Sequence, residues 1–136
     1  MELVYKVEGG DFNKAGHASS QIKRVLKQLG VPPDIIKRVV VALYEAEVNI
    51  VAHAWRGVIT AGVNESGIRV VLDDEGPGIP NIAQAMEKGY STASPEVRDM
   101  GFGAGMGLPN IRANVDEFNI TSEVNKGTVL DFFIKF

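Results

Sequence analysis

Residues 35–55 constrain the fold more than any other part of the chain. Pro32 and Pro33 precede this segment and Gly57 follows it, while Ile36, Val39, Val40, Leu43, Val48 and Val51 recur inside it at helical spacing. A proline ring removes a backbone donor and collides with the preceding turn, so the pair marks a helix start, and Asp34 stands where a carboxylate can cap the first turn. A helix of this length with one apolar side must bury that side against another layer. Its opposite aspect carries Glu45, Asn49 and His53, four residues apart, which near 100° per residue form a single polar row. Such a row is either a solvated face or one wall of a site.

The rest of the chain offers a sheet as the partner layer. Strand-like alternation marks residues 3–7, 57–63 and 68–73, and two further strands are expected at 118–124 and 128–136. Asn64-Glu65-Ser66-Gly67 reads as a hairpin turn with the glycine in the left-handed position, and Asn125-Lys126-Gly127 as a second turn. Ile22, Val25, Leu26 and Leu29 form the stripe of a first helix from residue 14 or 15 to 29, with Gly30 as its stop. A short helix is expected over 82–87, and another over 108–115 through Leu108, Ile111 and Val115. The pattern predicts an α/β protein of the α+β two-layer sandwich kind, with helices on one face of a mixed, mainly antiparallel sheet. At 136 residues it is read as a single domain over 1–136, because two halves would each be near the lower limit for an independent core.

Composition narrows the function classes. Fourteen Lys and Arg residues against 17 Asp and Glu residues give a net charge of −3, with no cationic run, so direct nucleic-acid binding is not expected. The absence of cysteine excludes disulfides, thiolate metal sites and a cysteine nucleophile. The opening residues lack a signal-peptide pattern, and the most apolar stretch, 39–55, is interrupted by Glu45, Glu47, Asn49 and His53. A soluble, cytoplasmic protein with no membrane contact is the expectation.

Three stretches carry chemistry. In the first, Glu45 one turn before Asn49 sets a carboxylate able to take a proton beside an amide oxygen able to ligate a hard cation, a combination suited to Mg²⁺-assisted phosphate chemistry. The second, Asp74-x-Gly76-x-Gly78-Ile79, follows a strand. Its carboxylate can accept from an exocyclic amine such as adenine's, and its glycines let the backbone come close, although a tight turn with a solvated Asp has the same letters. The third, Gly101-x-Gly103-x-Gly105-x-Gly107-Leu108, places glycine at every second position before a helix. Bare N–H groups there suit an anion, and a flexible linker is the plainer reading. Residues 89–107 as a whole read as a lid. Neither a P-loop nor a Gly-x-Gly-x-x-Gly fingerprint is present.

In this order the three stretches resemble the N box and the two glycine boxes of the GHKL superfamily, which includes gyrase-type ATPases, Hsp90, histidine kinases and MutL. Within it the chain looks most like the small bacterial anti-sigma factor serine-protein kinases, through Glu45-Ala46 and Asn49 and through the tail from Val115 to Thr128. The resemblance implies a Bergerat-type fold with ATP between the long helix and the lid. By it, Glu45 is the general base for a partner's serine hydroxyl, Asn49 the Mg²⁺ ligand and Asp74 the reader of the adenine amine. Gly76, Gly78 and Ile79 shape the base pocket. Gly101, Gly103, Ala104, Gly105, Met106, Gly107 and Leu108 cover the phosphates, and Arg98 is the candidate for the terminal phosphate. Val48 stands where those kinases often carry Thr, and their second glycine box is shorter.

The resemblance further implies protein partners, a sigma factor and/or an anti-sigma antagonist, and allows a homodimer through the strand at 3–7. The leading expectation is an ATP-dependent serine/threonine kinase and anti-sigma regulator; the alternative is an ATP-gated binding module without phosphoryl transfer. His53 is expected to support helix packing, Trp55 to pack and Phe102 to anchor the lid, while His17 has no assigned partner.

Overall fold

The computed structural model describes residues 1–87 and 107–136. Five strands, β1 (Glu2–Glu8), β2 (Arg56–Asn64), β3 (Gly67–Glu75), β4 (Glu117–Glu123) and β5 (Gly127–Lys135), form one sheet in the order β1-β2-β3-β5-β4. Every pairing in it is antiparallel. Among the described residues four α-helices accompany it: α1 (His17–Gln28), α2 (Pro33–His53), α3 (Ile82–Ala85) and α4 (Gly107–Asn114). Strand alternation sends Ile59, Ala61, Val70, Leu72, Leu130, Phe132 and Ile134 to the helical side, where Ile22, Leu26, Val39, Leu43, Ile50 and Ile111 meet them in one core. Val4, Val58 and Val129 remain exposed. The expected two-layer arrangement is therefore the observed one.

Several local boundaries differ for identifiable reasons. The first helix begins at His17, not 14 or 15, because Ala15 is extended and Gly16 is left-handed at φ 94°; Phe12–Lys14 forms a separate 3-10 turn. The donors at the start of α1 are satisfied by the carboxylate of Glu47, which is 1% exposed. Its Oε2 accepts from the N–H groups of Gly16 and Ala18 at 3.0 and 3.1 Å, and its Oε1 from Ser19 N–H and Oγ–H at 3.1 and 2.8 Å. A buried anion is thus matched to an N-terminus that has no side-chain cap of its own.

Asp34 is not the cap of α2. Pro32 holds the N-cap position, Pro33 supplies the first turn with its preset φ, and Asp34 lies one step inside as the acid that the helix dipole favours. The helix ends at His53, and Ala54 turns extended, so Trp55 lies outside it and is 55% exposed, contrary to the expected packing role. In the β2–β3 turn, Asn64 Oδ1 accepts from Ser66 N–H at 2.8 Å. Gly67 has a positive φ of 157°, outside the left-handed helical basin expected of it, and a Cβ there would also lie 2.3 Å from the Ile134 carbonyl oxygen.

Candidate nucleotide site

The polar row on α2 faces α4. The two helices run side by side, and their register is fixed at three levels. A Cβ added to Gly107 would lie 3.1 Å from both Oδ1 and Nδ2 of Asn49, so α4 begins directly on that amide, and a larger residue there would require the Asn49 side chain to give way. One turn on, Asn110 Nδ2 reaches Glu45 Oε1 at 3.4 Å. At the far end, Arg38 Nε donates to the Asn114 carbonyl at 3.0 Å, and its guanidinium pairs with Asp116 at 3.0 Å. Asp116 also accepts from Lys135 N–H at 2.7 Å; this bond, together with the guanidinium, holds its carboxyl below the ordinary value. Ile111, fully buried, anchors α4 between these levels, and Leu108 packs against the core.

The second stretch lies at the end of β3. Asp74 is paired with Gly57 across the sheet, and its Oδ1 accepts from Thr128 N–H at 3.0 Å. Burial pushes its carboxyl above the ordinary value and the charge of Asp73 adds to the rise, while the Thr128 N–H opposes it. Gly76 is buried against the end of α2, where a Cβ would meet Ala54 Cα at 2.9 Å. Gly78 is left-handed at φ 74°, and a Cβ there would fall 2.3 Å from the Glu123 carbonyl oxygen.

This loop takes its shape from the β4–β5 hairpin. Gly76 N–H donates to the Lys126 carbonyl at 3.0 Å, and Asn125 N–H to the Pro77 carbonyl at 2.8 Å. Ile79 N–H donates to Ser122 Oγ at 2.7 Å, so that amide is engaged by the protein itself. Ser122 Oγ also lies 3.0 Å from the Gly127 carbonyl and 2.8 Å from Thr128 Oγ1.

Glu45 and Asn49 meet α4 at Asn110 and Gly107, Leu108 packs against the core, and Asp74, Gly76, Gly78 and Ile79 gather where β3 ends, against the β4–β5 hairpin and the end of α2. Arg98, Gly101, Phe102, Gly103, Ala104, Gly105 and Met106, with the rest of the expected lid up to 106, lie outside the described residues. His53, at the end of the polar row, is partly buried, and that burial lowers its pKa, in keeping with a packing role. Residues that the motifs did not single out are Ser122, Thr128 and Asn110, which contact site residues, and Glu47, which caps α1. The run from Ser122 to Thr128 carried a signal in its likeness to the kinase tail, and Asn110 carried one in standing a helical turn after Gly107. Glu47 had only its place on the apolar side of α2.

The donor set suits a nucleotide with a hard cation. A half-buried carboxylate at the base loop is an acceptor for an amine, and the Asn49 amide oxygen is a hard ligand beside a helix N-terminus. Among the described residues no group of three or more His, Asp or Glu side chains converges on a metal. Mg²⁺ at phosphates commonly takes only one or two protein oxygens, so this arrangement fits it.

The histidine kinase-like ATPase domain family matches residues 11–134, nearly the whole chain, and the protein belongs to that family. The serine/threonine-protein kinase RsbT of Bacillus subtilis is 34% identical over 116 residues, covering 82% of this chain and 81% of the relative. The anti-sigma F factor of Clostridium beijerinckii is 31% identical over 134 residues, covering 94% and 87%.

Two solved structures share the fold. The RsbU and RsbW domains of a Mycobacterium tuberculosis protein align with a TM-score of 0.65 at 18% identity, over 98% of this chain and 31% of that longer one. The mycobacterial sensor histidine kinase MprB aligns with a TM-score of 0.55 at 15% identity, over 98% and 97%.

Proposed function

We propose that the protein is an ATP-dependent serine/threonine kinase of the anti-sigma regulator type, which holds a sigma factor and phosphorylates a small antagonist protein. The observation that carries the reading is the Glu45–Asn49 pair on α2, faced by the first turn of α4, with the half-buried Asp74 at the strand end beside the C-terminal end of the same helix. In this reading Asp74 accepts a hydrogen bond from the adenine amine, and Gly76, Gly78 and Ile79, fixed by the hairpin, shape the pocket around the base. Gly107 and Leu108 present backbone to the phosphates together with Gly101, Gly103, Ala104, Gly105 and Met106, and Arg98 approaches the terminal phosphate. Asn49 would hold Mg²⁺, which when bound neutralises phosphate charge.

Glu45 takes the proton of the partner's hydroxyl. The freed oxygen pair forms a bond to the γ-phosphorus, the bond from that phosphorus to the bridging oxygen breaks, and ADP leaves with the bonding pair. The chain acts as one domain in the cytoplasm, and two copies can meet along edge strand β1, where Val4 is 55% exposed. Sedimentation of the purified protein checks that last point. No described helix is long and apolar enough to cross a membrane.

The kinase reading is tested by incubating the full chain with γ-labelled ATP, Mg²⁺ and the antagonist protein. Label should reach a Ser or Thr of the antagonist with wild type and fall by at least about a hundredfold with Glu45→Gln. Normal ATP binding with no label on protein would overturn phosphoryl transfer and leave an ATP-gated binding module.

A further inference from the structure

The contact between α4 and Glu45 reaches beyond the roles given to the three motifs. Asn110 stands three residues after Gly107 and four before Asn114, so the face of α4 that meets α2 carries all three. Against them lie Asn49, Glu45 and Arg38, in the reverse order expected of antiparallel helices. The first level touches the expected cation ligand, the second the expected base, and the third is an anchor tied to β5 through Asp116. Asn114 Nδ2 donates to the Asn110 carbonyl at 2.8 Å, which links the anchor to the middle level. The backbone of Asn110 is thereby tied to the anchored end of α4.

We propose that Asn110 is a positioning residue for phosphoryl transfer: its side-chain N–H holds Oε1 of Glu45 and leaves Oε2 to take the substrate proton. The proposal rests on the reading of Glu45 as general base. At 3.4 Å the bond is long; hydrogen bonds in catalytic sites often shorten once substrate is in place.

Two measurements on the full chain test this. In nitrogen-15 spectra, the side-chain NH₂ resonances of Asn110 should shift with Glu45→Gln, both without nucleotide and with ADP and Mg²⁺. In steady-state phosphorylation of the antagonist protein with ATP and Mg²⁺, Asn110→Ala should lower kcat about tenfold while leaving KM for ATP within about twofold. The same substitution in a Glu45→Gln background should add no further loss, since a residue acting through another has nothing left to act on. Resonances that do not move, or losses that add in full, would overturn the proposal even if wild type phosphorylates the antagonist normally. A wild type that binds ATP but never phosphorylates the antagonist would instead overturn the reading of Glu45, and the positioning role of Asn110 with it.

Discussion

Glu47 and Asp74 are both acidic, yet the fold uses them in opposite ways. Glu47 is buried with four donors around it. Glu47→Ala leaves those donors without an acceptor and should cost about 2–4 kcal/mol in a denaturant melt, with Glu47→Gln costing less because one carbonyl oxygen remains. A change below about 0.5 kcal/mol would contradict the capping role. Asp74 pays the penalty of burial instead, its carboxyl raised above 3.8. A raised acid binds more protons folded than unfolded, so wild-type stability falls as pH rises through the interval above 3.8. Asp74→Asn keeps an acceptor for Thr128 N–H and should melt no lower than wild type at pH 7, with any advantage vanishing below that interval; a lower melting temperature at pH 7 would contradict this.

The motifs exposed Asp74 because a strand-end acid before spaced glycines is a local pattern. Glu47 was illegible, since its partners lie about thirty residues away in sequence and only the packing of α1 on α2 brings them together.

At the scale of elements, the long helix was legible because its apolar period, its prolines and its polar row all agree within one segment. Its ends were less so. Backbone geometry at Ala15, Gly16 and Ala54 decides where α1 starts and α2 stops, and the sequence offered competing signals at each. α4 is the element on which the site most depends, and its hold on α2 rests on Ile111 at its centre and Arg38 at its end. Ile111→Ala should destabilise the protein by about 2–4 kcal/mol and weaken ATP binding more than an equally destabilising change in the β1–β2 pair. Calorimetric affinities of the two variants check this, and equal losses would contradict the docking role of α4.

Over the whole molecule, the two-layer plan followed from helices and strands that each have one apolar side, and the order of three short motifs pointed to the superfamily. How the β4–β5 hairpin shapes the base loop lay beyond that reading, because Ser122, Gly127 and Thr128 act through contacts with residues 74–79 that no local pattern announces. The account stands on this site being an adenine-nucleotide pocket. Titration calorimetry of ATP with Mg²⁺ into wild type and Asp74→Asn, with circular dichroism establishing that both are folded, tests it most directly. Binding to wild type that is lost in the folded variant is the predicted result; no binding to wild type, or equal binding to both, would contradict the account.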